Sequence, residues 1–446
     1  MKVAWGLVGC FLAGVGGLFG GGCATDSPAG GGGGAGFGTG GKGSGGGSGG
    51  LGASGTGGGF RSGGASGTGG LNASGGAVAS GGAVASGGGT ADGSGVSTGG
   101  TGAGGAMSRG GSGAGGALTG GAGGAGGAGT GGIVAIVSLC PGGPYAAPAL
   151  SGLVPARVAA VPPSDSFNNN HINFGIIEGP VWIGNALYMS ELGIPDNIHP
   201  PASRTLKVDS AGVVSIVLPP EKSGTNGMAV DAAGNLVAGN HRLGSITRFA
   251  LPGFAATEIV SSYNGVRFNA PNDLTFRADG NLYFTDPDWQ ASTPRPQTKT
   301  RIYRVAPGSM SATVVDESRT EANGITLSPD GNTMYVSGAD GLFRYAVAPN
   351  GTVGTGTKIA PSIVDGDGMA IDCAGNLYVA ANDANGLIVL DPNGMILGTI
   401  TVAEAMAVTN AAFGGADHKT LYITTLGIGA QNGLFTVHMN VPGFPY

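Results

Sequence analysis

Beyond residue 133, a polar turn, often Asp-x-x-Gly-Asn, is followed six times by a short segment in which apolar and polar residues alternate. Alternation with a period of two, bounded by Gly or Pro, predicts β-strands and not helices. The apolar residues that open these strands are Leu187, Leu236, Leu282, Met334, Leu377 and Leu421. Their gaps of 49, 46, 52, 43 and 44 residues give a period near 47. This period is typical of a four-stranded blade, so the pattern predicts an all-β, six-bladed β-propeller.

The ends of the repeat region are expected to close the propeller. We expect a strand within residues 133–139 to join the last strands, near residues 433–440, in one blade. The predicted propeller domain therefore spans residues 133–446.

The first part of the chain has a different composition. Most of the 97 glycines precede residue 133, and residues 23–132 contain mainly Gly, Ala, Ser and Thr. Such a segment cannot bury enough apolar surface to offset the backbone entropy of folding, so we predict a disordered Gly-rich spacer. Residues 1–22 resemble a signal peptide, with Lys2 before an apolar run too short and too Gly-rich to span a membrane well.

The residue that follows the signal segment is Cys23. A Cys at this place resembles a bacterial lipoprotein processing site, although Gly20 stands where that pattern has Leu. We expect lipid attachment at Cys23 and an outer-membrane or cell-surface lipoprotein. Cleavage without lipidation, giving a periplasmic or secreted protein, is the alternative.

The net charge limits the classes of binding partner, and the cysteine content limits the possible disulfides. The net charge is -6 and no basic cluster occurs, which argues against nucleic acid binding. Membrane contact is expected only through the lipid anchor, and the protein is expected to be a monomer. Cys140 and Cys373 are the two cysteines of the predicted propeller, and sequence leaves open whether they pair or remain buried thiols.

One set of oxygen-bearing side chains stands 9 to 11 residues before the strand-opening positions. These residues are Glu178, Asn226, Asn272, Asn323, Asp367 and Asn410. Equivalent places in successive blades are related by rotation about the central channel, so six such side chains form a ring. A single Asn or Asp before Gly is often only a turn residue, but six at one offset indicate a site.

The predicted ring carries two carboxylates and four carboxamides, with no Lys or Arg at matching offsets. Two uncompensated carboxylates in a partly dry channel repel each other, and a divalent cation would compensate both. Hard oxygen ligands favour one Ca²⁺, with Mg²⁺, Mn²⁺ or Zn²⁺ as alternatives.

The same motifs resemble the senescence-marker-protein, gluconolactonase and luciferin-regenerating-enzyme family. The resemblance runs in order through EGPVW, TNGMAVDAAGNL, NAPNDLTFRADGNLYFTDP, ANGITLSPDGNTMYVS, DGMAID and TNAAFGGADHKTLYIT. It implies a metal held by Glu178, Asn323 and Asp367, with Asn272 near the metal or the substrate. It also implies Asp367 as the general base.

Substrate-binding residues follow less firmly from this resemblance. Asn226, Asn272 and Asn410 belong to the ring and are expected to contact substrate. His241 matches a family His, and Arg267 is expected to reach a substrate hydroxyl or carboxylate, with a salt bridge as the alternative. Glu191 departs from the usual Ser-Asp of the first blade.

The resemblance implies a metal-dependent hydrolase that opens sugar-type, gluconolactone-like lactones. Within the predicted propeller, residues 133–446, no Gly-x-Ser-x-Gly elbow and no His-Glu-x-x-His pattern occurs, so the sequence gives no support to other hydrolase mechanisms. Two alternatives remain open. One is a surface-anchored binding propeller with a structural Ca²⁺ site and no turnover. The other is an esterase or phosphotriesterase that uses the same metal site.

Overall fold

A computed structural model describes residues 140–159, 161, 174–193, 201–381 and 385–444. The predicted signal peptide, Cys23, the Gly-rich spacer and the predicted strand at 133–139 lie outside these residues and stay predictions.

The described residues contain twenty-four β-strands and one three-residue 3-10 helix. The strands are β1 Ala156–Ala159, β2 Phe174–Ile183, β3 Ala186–Leu192, β4 Ser203–Val208, β5 Val214–Leu218, β6 Thr225–Val230, β7 Leu236–Asn240, β8 Ser245–Ala250, β9 Ala255–Val260, β10 Leu274–Phe276, β11 Leu282–Asp286, β12 Arg301–Val305, β13 Ala312–Asp316, β14 Ala322–Leu327, β15 Thr333–Gly338, β16 Leu342–Ala346, β17 Thr357–Ala360, β18 Gly366–Ile371, β19 Leu377–Ala381, β20 Gly386–Leu390, β21 Ile396–Thr401, β22 Ala407–Gly414, β23 Thr420–Ile428 and β24 Gly433–His438. The 3-10 helix spans Gly429–Gln431. Within the described ranges, no helix is long and apolar enough to cross a membrane.

The strands form a propeller-like set of antiparallel sheets. Four sheets contain four consecutive strands each, namely β6 to β9, β10 to β13, β14 to β17 and β18 to β21. A fifth sheet has eight strands. Seven of them follow the order β1-β24-β23-β2-β3-β4-β5, and the eighth, β22, also pairs with β23. The predicted all-β class is thus confirmed.

The turns between the first two strands of a sheet form as the Asp-x-x-Gly-Asn pattern predicts. In the turn before β7, Asp231 Oδ1 accepts hydrogen bonds from the backbone N–H groups of Ala233 and Asn235, each at 2.9 Å. Gly234 adopts a φ of 80°, which favours Gly. The Asp side chain and the Gly together fix the turn, so that the next strand starts at Leu236.

Burial decreases from the first strand of each sheet to the last. All residues of β14 and β18 are buried, whereas each of the outer strands β9 and β21 has at most one buried residue. The first strands contact one another in the closed order β2, β6, β10, β14, β18, β22 and back to β2. Aromatic residues fill the space between neighbouring sheets, as where Tyr378 packs edge-on against Phe413 with ring centroids 5.3 Å apart.

The two ends of the described chain meet in the eight-stranded sheet. β1 pairs with β24, with Ala156 opposite Thr436. A strand that precedes the repeats, β1 at Ala156–Ala159, therefore joins the last strands. The strand predicted within residues 133–139 lies outside the described residues and stays a prediction.

A disulfide joins Cys140 to Cys373, with 5.4 Å between their Cα atoms. Cys373 lies in the turn between β18 and β19, where its N–H also donates to the carbonyl of Pro442 at 2.9 Å. The start and the end of the described chain are therefore both attached to this one turn. The pairing that the sequence left open is thus present in the structure.

The disulfide is expected to stabilise the folded state by restricting the unfolded chain across 233 residues. We predict that Cys373→Ser in the full chain lowers the free energy of unfolding by about 2 to 5 kcal/mol. The measurement is thermal and urea unfolding without reductant. Cys140→Ser and the double variant should lose the same amount, because each removes the same bond. Equal stability of wild type and single variants would contradict a structural role.

Candidate functional site

The six side chains predicted to form a ring all occupy matching places on the innermost strands. Five lie within β2, β6, β14, β18 or β22, and Asn272 comes two residues before β10. None is more than 5% exposed. We call these six residues the ring: Glu178, Asn226, Asn272, Asn323, Asp367 and Asn410.

Direct contacts link ring residues of neighbouring strands. Asn410 Nδ2 donates to Glu178 Oε2 at 3.4 Å, across the two ends of the repeat region. Asn323 Nδ2 donates to Asp367 Oδ1. The structure therefore brings residues 232 positions apart in sequence into one site, as the repeat pattern predicted.

Glycines allow this close spacing. Gly179, Gly227, Gly324 and Gly368 each follow a ring residue directly. A Cβ atom added to Gly227 would lie 2.5 Å from the carbonyl oxygen of Asn272, and one added to Gly324 would lie 2.5 Å from that of Asp367. Real Cβ atoms do not approach so closely. The inner strands can therefore meet at the ring only because these positions lack a side chain.

A break in strand pairing accompanies most ring residues. The register between first and second strands shifts between Thr225 and Met228, between Ala322 and Ile325, and between Gly366 and Met369. Each interval contains a ring residue. A bulge removes the residue from regular pairing and redirects its side chain, which explains how an inner strand presents a polar group to the central axis.

Four ring atoms are buried and have no hydrogen-bond partner among the residues that the structure describes. They are Glu178 Oε1, Asp367 Oδ2, Asn226 Oδ1 and Asn272 Nδ2. Buried polar atoms are normally paired, and each such atom costs free energy. Four in one ring indicate a bound group that would satisfy them. A half-turn of the Asn272 amide would present its oxygen in place of its nitrogen.

Burial dominates the electrostatics of the ring. It raises the pKa of Glu178 well above its usual value, and the charges of Asp367 and Asp273 raise that pKa further. Burial likewise raises the pKa of Asp367 to about 7. No ion pair among the described residues includes either carboxylate. Within the described part of the chain, the two acids therefore lack an ion-pair partner.

Asp273 is a third buried acid that the sequence pattern did not single out. It directly follows Asn272, and burial raises its pKa to about 7. Its Oδ1 accepts from the N–H of Leu274 at 2.9 Å and its Oδ2 from the N–H of Ile325 at 3.2 Å. The position one residue after each ring member could have revealed it, because Asp273 is the only acid there.

Apolar side chains fill the channel on one side of the ring. Two residues after successive ring members come Pro180, Met228, Leu274, Ile325 and Met369. Together with Asp273 they border a cavity of only about 10 Å³, too small for a ligand. A ligand would therefore reach the ring from the opposite side, where the inner strands begin.

A larger groove of about 370 Å³ lies elsewhere and contains no ring residue. It is bordered by turns at the far ends of the strands and by Trp182 and Tyr422, whose rings stack at 5.6 Å. The groove is mainly apolar, and the carboxylate that borders it, Asp209, accepts hydrogen bonds from the N–H groups of Ala211 and Val213 in its own turn. The ring therefore remains the candidate site.

The expected substrate residues outside the ring have protein partners. Arg267 is about half exposed, and its Nη1 lies 2.6 Å from Glu258 Oε1 on the outer strand β9. This is the salt bridge that the sequence left open as an alternative. His241 Nε2 lies 2.8 Å from the carbonyl oxygen of Pro201, and burial lowers the His241 pKa to about 4. The imidazole is therefore neutral, and its Nδ1 has no partner.

Glu191, the departure from the family pattern, is fully buried beside Arg204. Arg204 Nε and Nη2 each lie 2.7 Å from Glu191 Oε2. The ion pair joins the end of β3 to the start of β4. Arg204 therefore compensates a charge that would otherwise be costly to bury.

The ring offers oxygen donors to a metal ion. Among the described residues, no group of three or more His, Cys, Asp or Glu side chains forms a metal-ligand cluster. The ring instead combines two carboxylates with amide groups, which suits a hard divalent cation. The unpartnered Glu178 Oε1, Asp367 Oδ2 and Asn226 Oδ1 are oxygen donors in need of such a partner. The residues therefore fit a divalent cation.

Comparison with known proteins agrees with this geometry. The family model of the SMP-30/gluconolactonase/LRE-like region matches residues 176–427, more than half of the chain. The chain belongs to this family. A gluconolactonase of Zymomonas mobilis is 29% identical over 279 residues, which cover 55% of this chain and 75% of the relative.

Solved structures of the family are also similar. A gluconolactonase of Xanthomonas campestris is 26% identical with a TM-score of 0.51, covering 68% of this chain and 99% of that chain. A regucalcin of Agrobacterium tumefaciens, described as a calcium-binding protein, is 17% identical with a TM-score of 0.52, covering 66% and 96%. The second likeness concerns the fold alone.

The raised acid pKa values predict an unusual pH dependence of stability. Burial raises the pKa of Asp273 and Asp367 to about 7 in the folded state, whereas the ordinary pKa of an Asp side chain is 3.8. Between these values the folded state holds more protons than the unfolded state. The free energy of unfolding should therefore fall as the pH rises from about 4 to about 7, and level off above that.

Bound Ca²⁺ should oppose this loss, because it would replace the protons of the ring. We predict that the difference in Tm between Ca²⁺-saturated and EDTA-treated protein widens from pH 5 to pH 7. Thermal unfolding across this range measures it, and Asp367→Asn should reduce the widening. Parallel curves with Ca²⁺ and EDTA would count against a cation at the ring.

Proposed function

We propose that this protein is a metal-dependent hydrolase that opens sugar-type, gluconolactone-like lactones. The observation that carries the proposal is the ring, in which two buried carboxylates and two amides have unpartnered atoms around one axis. Family membership and relatives named gluconolactonase at 29% and 26% identity support the reaction class.

We propose that the fold is a six-bladed propeller. The closed order of six inner strands supports this interpretation. The eight-stranded sheet then consists of two blades, one of β22, β23, β24 and β1 and the other of β2 to β5. These two blades are joined by three residue pairs between β2 and β23, such as Phe174 opposite Ile428.

Glu178, Asn323 and Asp367 would hold the cation, with Asn272 beside it. Ca²⁺ is the ion best suited to carboxylate and amide oxygens, with Mg²⁺, Mn²⁺ or Zn²⁺ as alternatives. When bound, the cation supplies Lewis acidity that polarises a lactone carbonyl.

The protein side chains would perform the remaining steps. Asp367 takes the proton from an attacking water and must be ionised to do so, which the positive charge of a cation favours against the effect of burial. The amides of Asn226 and Asn272 orient the substrate. The apolar floor of Met228, Leu274 and Met369 excludes water from the other side of the ring.

Export to an oxidising compartment is part of the proposal. The Cys140–Cys373 disulfide supports it, because such bonds persist mainly outside the cytosol. We propose lipid attachment at Cys23, so that the domain is held at the outer membrane or cell surface. No nucleic acid partner is proposed, and the protein is proposed to act as a monomer.

The proposed activity predicts that Asp367→Asn abolishes lactone opening. The change preserves shape but removes the base, so we expect a loss of at least about 100-fold. Acid release from sugar and aliphatic lactones in a pH-stat, with EDTA or added Ca²⁺, measures it against the spontaneous rate.

Asp372→Asn is a matched control, because Asp372 is also a buried acid near β18 but holds the distant β18–β19 turn. Its activity should stay near that of wild type. Tight Ca²⁺ binding without turnover of any lactone would reject the lactonase and favour a binding propeller. Turnover of other esters alone would favour the esterase or phosphotriesterase alternative.

The proposed anchor predicts that Cys23→Ser releases the full chain from the membrane fraction of a bacterial host with lipoprotein processing. Mass spectrometry of the mature N-terminal peptide should show the lipid mass on Cys23 in wild type only. Cys140→Ser is the control, because it should remain in the membrane fraction. An unmodified N-terminal peptide in wild type would show cleavage without lipidation.

A further inference from the structure

Hydroxyl groups connect neighbouring sheets at the ring. Thr285 Oγ1 on β11 donates to the carbonyl oxygen of Asn323 at 2.6 Å. Ser337 Oγ on β15 donates to the carbonyl oxygen of Asp367. Ser190 Oγ on β3 donates to that of Asn226 at 2.7 Å. Each hydroxyl belongs to the second strand of one sheet and binds a ring residue of the next.

Two of these hydroxyls also hold the backbone of their own sheet. Thr285 Oγ1 accepts from the N–H of Asp273 at 3.1 Å, directly after the ring residue Asn272. Ser337 Oγ accepts from the N–H of Gly324 at 3.1 Å, directly after the ring residue Asn323. One hydroxyl oxygen therefore fixes the separation between two successive ring residues.

The matching positions in other sheets show that this contact requires a particular side chain. Gly239 occupies the matching position on β7. A Cβ atom added there would lie 2.6 Å from the carbonyl oxygen of Pro271 and 2.7 Å from that of Asn272, so a side chain does not fit. At this place a backbone hydrogen bond connects the two neighbouring sheets, because the N–H of Gly227 donates to the carbonyl oxygen of Asn272 at 2.8 Å. Ala380 holds the place on β19 and carries no hydroxyl. Thr424 holds the place on β23, but its Oγ1 donates to the carbonyl oxygen of Asn410 on the neighbouring strand β22 at 3.2 Å.

The position of a ring backbone controls its side chain. Thr285 and Ser337 are less than 2% exposed, so no water can replace a lost hydroxyl without rearrangement. An unpaired carbonyl of Asn323 or Asp367 would shift to find a donor. A cation site tolerates displacement of its ligands by only about 0.5 Å.

We propose that Thr285 and Ser337 are positioning residues that set the cation affinity of the ring through the backbone of Asn323 and Asp367. The inference rests on the proposed function in one respect, namely that the ring binds a cation. Neither hydroxyl touches the cation or the substrate. Their effect is on affinity, and through it on turnover at limiting Ca²⁺.

The test compares two substitutions at one position in the full chain. Thr285→Val removes the hydroxyl and keeps the shape, whereas Thr285→Ser keeps the hydroxyl. Calorimetric titration of EDTA-treated protein with Ca²⁺ measures affinity without relying on activity. We expect Thr285→Val to weaken Ca²⁺ binding about 10- to 100-fold, and Thr285→Ser to restore it to within about 3-fold of wild type.

A matched control separates positioning from loss of stability. Thr247 on β8 is also buried, and its hydroxyl bonds to Ser245 at 3.1 Å without contacting the ring. Thr247→Val should lower Tm but leave the Ca²⁺ affinity unchanged. Should Thr285→Val fail to fold, Ser337→Ala provides the same test through Asp367.

The possible outcomes are distinct. Wild-type affinity in folded Thr285→Val, or equal weakening in Thr247→Val, overturns the inference and leaves the proposed cation site intact. Failure of the wild type to bind Ca²⁺ rejects the cation site and the inference together. Selective weakening in Thr285→Val, with recovery in Thr285→Ser, supports both.

Discussion

The structure depends on the burial of acidic groups around one axis without a cationic side chain beside them. Glu178 and Asp367 are fully buried, and burial raises the pKa of both. A protein could reduce this cost by placing Lys or Arg at the axis, as Arg204 does for Glu191 away from the ring. Compensation by hydrogen bonds alone is incomplete, because one oxygen of each ring acid has no partner. This local cost is the physical reason to expect a cation.

The strands, glycines and hydroxyl groups around the ring hold its buried acids in place. Most inner strands contribute a polar side chain where a bulge interrupts their pairing, as between Ala322 and Ile325. Glycines such as Gly324 allow neighbouring strands to approach at that level. Hydroxyls such as Thr285 then connect successive ring residues through their backbones. Burial of apolar side chains between the sheets stabilises the fold and offsets the free-energy cost of the buried acids in the ring.

Sequence predicted most of the ring because repetition encodes it. The spacing of Leu236, Leu282 and Leu377 gave the strand starts, and a fixed offset from them identified Asn226, Asn272 and Asp367. Asp273 was missed because it directly follows a ring residue and reads as part of the same Asn-Asp pair. Its Oδ2 accepts a hydrogen bond from the N–H of Ile325, which is distant in sequence. The hydroxyls were missed for the same reason, since Thr285 also alternates as an ordinary strand residue.

Features that occur once were harder to predict than features that repeat. The pairing of β1 with β24 and the Cys140–Cys373 disulfide connect the ends of the chain and have no second copy for comparison. The partners of Arg267 and His241 are likewise local to one sheet. Periodicity therefore identifies what the sheets share, whereas contacts between particular side chains require coordinates.

The number of acids at the axis bears on the chemistry that the site can support. Glu178, Asp367 and Asp273 together carry three potential negative charges, and a divalent cation compensates two. The third charge remains or is neutralised by a proton, and Asp273, with a pKa of about 7, can hold that proton near neutral pH. Under the proposed reaction the product is a carboxylate, whereas the lactone is neutral. When Asp273 is ionised, its negative charge beneath the ring repels the carboxylate product more than the neutral substrate, which favours product release over product inhibition.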